Sequence, residues 1–158
     1  RRHCGLEKTR GELGNEKEEL RNEKEEFRNK RENLFMEKPN PAAEKSYAFA
    51  LRIVKLRRFL SEKHVEDDLA KQVLRSGTSI GANIEEALGG QSRRDFKHKL
   101  SIAYKEARET HYWIRLLRDS GFIEGDSADS LLADCDELLK IIGSSLKTLS
   151  KDNEDLEQ

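Results

Sequence analysis

Four histidines, two cysteines and several neighbouring glutamates are the side chains of this sequence with types suited to catalysis or metal binding. A di-iron centre in a helix bundle needs Glu-x-x-His pairs projecting into a common core. Three residues beyond Glu85, Glu86, Glu106 and Glu109 stand Leu88, Gly89, Glu109 and Tyr112, so that motif is missing. Zinc needs clustered thiolates and imidazoles. His3, His64, His98 and His111 are isolated, and no cysteine pair accompanies them. Cys4 and Cys135 are too far apart in sequence for a metal knuckle and too few for a disulfide framework, which fits a reducing, cytoplasmic compartment. Cys135 falls on an apolar helical stripe, where a small buried hydrophobe is expected rather than a nucleophile. His111, two residues after Glu109 and just before Tyr112-Trp113, reads as a core or interface histidine. Glu85 and Glu86 read as ion-pair partners of Arg75, Lys105 or Arg108. The expectation is a protein that is not an enzyme and holds no metal or cofactor.

The elements available to position these groups are helices. Only two prolines and ten glycines punctuate 158 residues, and nothing beyond residue 36 alternates with period two. Asn40 caps and Pro41 opens a helix to about Glu62, with Tyr47, Phe49, Ala50, Leu51, Ile53, Val54, Leu56, Phe59 and Leu60 as one broad apolar stripe. A second helix runs from the acids at 66–68 to Gly89-Gly90. Ser92 with Asp95 resembles a capping box for a third, which ends at Gly121, and Asp126 or Ser127 opens a fourth. The spacing predicts an all-α fold, an antiparallel up-down-up-down four-helix bundle over residues 39–150. Residues 151–158 are expected to form a disordered acidic end.

Within the second helix, Arg75-Ser-Gly-Thr-Ser-Ile-Gly-Ala-Asn83 holds two glycines, each costing about 1 kcal/mol relative to alanine. Gly77, Gly81 and Ala82 leave little bulk, and are expected to meet a neighbouring helix at close range. A phosphate loop is excluded, because no Gly-Lys-Ser/Thr follows and no strand precedes.

Residues 1–38 are different in kind. Asn15-Glu-Lys-Glu-Glu-Leu-Arg21 is nearly repeated at Asn22–Arg28, and Leu6, Leu13, Leu20, Phe27 and Leu34 recur every seven residues. A coiled coil needs apolar residues at both a and d, and here only one position of each heptad is apolar. The segment therefore reads as a charged, fraying helical or disordered tail. A further reading follows from Met36, the only methionine: near-identical heptads resemble a duplicated stretch, with 1–35 upstream sequence and the native start at Met36.

Thirty basic residues balance thirty-one acidic ones, so net charge alone does not argue for a polyanion. By helix the balance is uneven. The first and third helices are basic, whereas residues 122–158 hold three bases against ten acids. One expectation is a nucleic-acid-binding surface made by Lys55, Arg57, Arg58, Arg93, Arg94, Lys97, Lys105 and Arg108. Another is an oligomer in which Asp134, Asp136 and Glu137 of one subunit face bases of the next. Scattered, solvated charge is the third. No run of 18 apolar residues occurs, which excludes a helical membrane span, and the N-terminal residues resemble no secretory signal.

Glu44–Leu56, Leu74–Ala87 and Lys99–Trp113, with Leu116-Leu-Arg-Asp-Ser-Gly121 after them, resemble the 23S rRNA-intervening-sequence protein family, also called four helix bundle proteins. The likeness covers about residues 39–150. It implies a small cytosolic bacterial bundle, in some members encoded within insertions in 23S rRNA genes, and a ring-like homopentamer. The family is in turn similar to the accessory variability protein of diversity-generating retroelements, which works with a reverse transcriptase and its RNA. It carries over no catalytic residues. Two function classes follow: a non-catalytic oligomer associated with rRNA or other structured RNA, and a protein–protein scaffold or adaptor with no direct nucleic-acid role.

Overall fold

The computed structural model describes residues 18, 19, 21–26, 28, 29, 40–65 and 67–154, with backbone alone for 151–154. The chain divides into two units, Arg1–Lys38 and Pro39–Gln158. In the first, the described residues are helical and exposed. The apolar residues that recur every seven positions, and Met36, lie outside the described residues, as does the proposed start of the native chain.

The second unit is an all-α bundle of four long helices: α1 (Pro41–Glu62), α2 (Asp67–Leu88), α3 (Arg93–Asp119) and α4 (Gly125–Glu154). Their ends obey local chemistry. Asn40 Oδ1 accepts from the Ala42 and Ala43 amides, satisfying two of the donors that a helix start leaves open. Ser92 Oγ accepts from Asp95 N at 3.1 Å, while Asp95 reaches back to the amide of Gln91. α3 stops in a Schellman turn: Phe122 N bonds Leu117 O, Gly121 N bonds Arg118 O, and Gly121 takes φ +75°. α1 stops the same way, with Val65 N on Leu60 O and His64 N on Ser61 O. The left-handed residue there is His64 at φ 55°, which costs of order 1 kcal/mol relative to glycine. α4 continues to Glu154, into the expected disordered end. No glycine or proline interrupts it after Gly143, and half-buried Leu146 and Leu149 keep its inner face docked.

α1 packs on α2 and α4, and α3 packs on the same two, so α1 and α3 stand at opposite corners of the bundle. The core they enclose includes Phe49, Ile53, Leu60, Ile80, Ile84, Ile114, Leu117, Leu138 and Ile142, all essentially without solvent contact. Buried hydroxyls at Ser46, Ser76 and Thr110 turn back onto their own helices, bonding Ala43 O, Gln72 O and Glu106 O. Each is therefore satisfied and small enough for helices to approach.

The broad stripe of α1 splits in two. Phe49, Ile53, Leu56 and Leu60 are buried, whereas Tyr47, Leu51 and Val54 are 68%, 49% and 38% exposed. At about 100° per residue these sets occupy opposite sides of the helix. α1 is apolar toward the core and again toward the outside.

The small-residue stretch of α2 also resolves into unlike positions. A Cβ on Gly77 would lie 2.7 Å and 2.9 Å from Ile53 Cγ1 and Cγ2, so no side chain fits. A Cβ on Gly81 would meet Ser46 Oγ at 3.5 Å, an ordinary contact. Ala82 is exposed and takes no part in this seam, because it lies one residue round the helix from the packed face.

Candidate nucleic-acid interface

The basic residues expected to share one surface do not do so. Lys55, Arg57 and Arg58 lie in the later half of α1, at the end of the bundle where α1 joins α2. Arg93, Arg94 and Lys97 open α3 at the other end, on the diagonally opposite corner. Charge counted helix by helix contains no information about which helices are neighbours. Two of the set are also engaged: Arg57 binds Asp67 and Ser61, and Arg93 donates to Leu149 O.

What remains is one coherent stripe on α3. Arg94, Lys97, Lys105, Arg108, Tyr112 and Arg115 fall on the side opposite Phe96, Leu100, Ala103, Ala107 and Ile114. Lys97 is half-buried and the other five are exposed. From Arg94 to Arg115 the stripe extends about 31 Å, at 1.5 Å per residue. None of its five cations forms an ion pair with any described residue. Acids near the stripe are occupied or set aside. Glu109 accepts from Trp113 Nε1 at 3.1 Å, and Asp119 is paired with Arg118. Glu106 lies on the α2 flank, where burial raises its carboxyl pKa, Glu109 adds to the rise and Arg75 opposes it. Arg115 and Tyr112 were missing from the sequence-derived set; their spacing from Arg108 on one helical face was the signal available.

The acids of α4 find their partners within the chain. Asp134 binds Arg52, Glu137 Oε2 lies 3.0 Å from Lys45 Nζ, and Asp136 Oδ1 lies 3.4 Å from His111 Nε2. These are the residues expected to meet bases of a neighbouring subunit. α4 packs on both α1 and α3, so Lys45 and Arg52 of α1 and His111 of α3 in the same chain reach them first. Glu86 likewise pairs with Lys99, rather than with Arg75, Lys105 or Arg108.

Among the described residues no three His, Cys, Asp or Glu side chains are placed to hold a metal ion. Cys135 is fully buried, lies 3.2 Å from Ala107 O, and burial pushes its thiol up to about 12, with Asp136 adding to the rise. A thiol so held carries almost no thiolate at neutral pH. In a Cys4→Ser variant, dithionitrobenzoate at pH 7.5 should therefore release no colour from the native protein and one equivalent after denaturation; rapid native release would show an accessible thiolate. An open groove of about 670 Å³ runs between Phe59 and Leu56 of α1 and Ile123 and Leu131 beside and within α4, with Glu124 and Asp126 at its edge and no histidine or cysteine in its walls. No helix among the described residues is long and apolar enough to cross a membrane.

The family model described as 23S rRNA-intervening sequence protein matches residues 39–144. Among solved structures, a protein of unknown function from the S23 ribosomal protein family of Bacteroides thetaiotaomicron VPI-5482 is 48% identical to this chain. That match covers 67% of this chain and 98% of the other, with a TM-score of 0.66. No curated protein matches.

Proposed function

Because the chain belongs to the 23S rRNA-intervening sequence protein family, we propose that it is a non-catalytic, self-assembling bundle that associates with structured RNA through the outer face of α3. The observation that carries this reading is the row of five cations on α3 without ion-pair partners among the described residues. A folded protein ordinarily distributes acids among such a row, and here the neighbouring acids are turned to other groups. Phosphates at this spacing supply the missing countercharge.

Assembly is assigned to a different surface. Tyr47, Leu51 and Val54 form an apolar row on the outer side of α1, which a second copy would remove from water. The ring of five implied by the family resemblance remains the proposed stoichiometry, in a cytoplasmic setting. The α4 acids, being paired within the chain, contribute little to it.

Gel shift with rRNA fragments tests the RNA reading. Five phosphate contacts should weaken binding about 100- to 500-fold between 50 and 200 mM salt. The Lys105→Glu/Arg108→Glu double variant should abolish most of the affinity and flatten that dependence. Absence of binding at both salt concentrations would favour the protein-adaptor alternative, in which α1 carries the contacts.

A further inference from the structure

Tyr112 is out of place on a surface that merely collects phosphates. Its side chain is 49% exposed toward the C-terminal end of the α3 stripe. Four residues before it stands Arg108 and three after it stands Arg115, so a free cation brackets the ring one turn away on each side. The ring's aromatic neighbour is the next residue in the chain. Trp113 packs against it in an edge arrangement, with centroids 5.0 Å apart and planes at 69°. Trp113 is in turn fixed by the bond from its Nε1 to Glu109. In this T-shaped contact Trp113 leaves at least one face of Tyr112 uncovered by itself, and the side chain as a whole is half exposed.

We infer that the α3 face takes single-stranded RNA, with an unpaired base stacked on Tyr112 and the flanking phosphates held by Arg108 and Arg115. The inference rests on the RNA reading above and narrows its ligand. Bases in a duplex are stacked on both faces by their neighbours and offer a protein only edges and backbone. Only the hydroxyl of Tyr112 could grip that backbone, by donating to a phosphate oxygen; the ring face has no role there. Unpaired bases have a free face, and stacking on aromatic side chains is how single strands gain affinity without sequence readout. Arginine also suits the flanks, because its planar guanidinium can bond a phosphate at two points. A loop, a bulge or the strand end of a folded RNA supplies such a base.

Fluorescence anisotropy with a labelled 12-nucleotide oligo(A) strand and a 12-base-pair RNA duplex, both at 50 mM salt, tests this on the full-length protein. The strand should bind more tightly than the duplex and quench the emission of Trp113, the single tryptophan. Tyr112→Ala should weaken strand binding about 5- to 150-fold, the range expected for one stacked base, and change duplex binding less than twofold. Tyr112→Phe should retain strand binding, because the ring and not the hydroxyl makes the contact. Equal binding of strand and duplex, with Tyr112→Ala changing neither, would overturn the single-strand inference and leave the RNA reading intact. Failure of both probes to bind would overturn the RNA reading and the inference with it.

Discussion

Gly77→Leu should lower the melting temperature of the bundle by roughly 10 °C or leave it without a cooperative transition. A Cβ at this position already falls under 3 Å from two carbons of Ile53, and Ile53 is fully buried with no direction in which to yield. Forcing three further carbons into the α1–α2 seam separates the helices or distorts both, at about 3 kcal/mol or more. In a domain of this size each kcal/mol shifts the midpoint by roughly 4 °C. Two controls make the result specific. Gly77→Leu combined with Ile53→Ala should recover part of the loss, because the clashing carbons are gone. Gly81→Ala should move the midpoint upward by a few degrees: its Cβ meets only an ordinary contact with Ser46, and alanine is favoured over glycine in a helix by about 1 kcal/mol. A Gly77→Leu protein that melts like the parent would show that α1 and α2 do not cross here.

Leu51→Asp with Val54→Asp should convert the proposed oligomer to a monomer of 18.2 kDa with an unchanged helical spectrum. Both side chains lie on the outer side of α1 and are exposed, so charge there should cost a lone subunit little and disrupt an apolar contact between subunits. Light scattering at micromolar concentration reads the mass directly. Asp134→Lys should behave in the opposite way. It breaks the pair with Arg52 inside one chain, changing stability by about 0–1 kcal/mol because the site is partly exposed, and leaves the mass as it was. If the Asp134 variant dissociates while the α1 variant keeps the parent mass, the assembly surface is on α4 and the α1 assignment is wrong.

The bundle itself was legible because its boundaries are local chemistry. Asn40-Pro41, Ser92 with Asp95, and Gly121 each mark a helix end through atoms within four residues of one another, and each is where the structure has it. Gly77 was legible in type and Gly81 was not, since composition cannot tell a glycine pressed on Ile53 from one with room for a methyl group. The nine apolar residues of α1 were read as one face because a helix apolar on two sides has weak periodicity. The interface was the least legible part. Which cations share a surface depends on helix adjacency, and which remain free depends on whether an acid such as Asp134 comes within reach from a neighbouring helix.

The opposite-corner placement of α1 and α3 has a consequence for valence. A contact that joins α1 of one subunit to any surface of the next other than its outer α3 face leaves the proposed RNA-facing surface of both uncovered. A closed ring built this way would display as many equivalent strand sites as it has members. Once one site holds a strand, the next along the same molecule meets its neighbour at an effective concentration set by the length of strand between them. Weak individual grips, each resting on a few cations and one ring, would then add to tight retention of a long RNA while short fragments exchange freely.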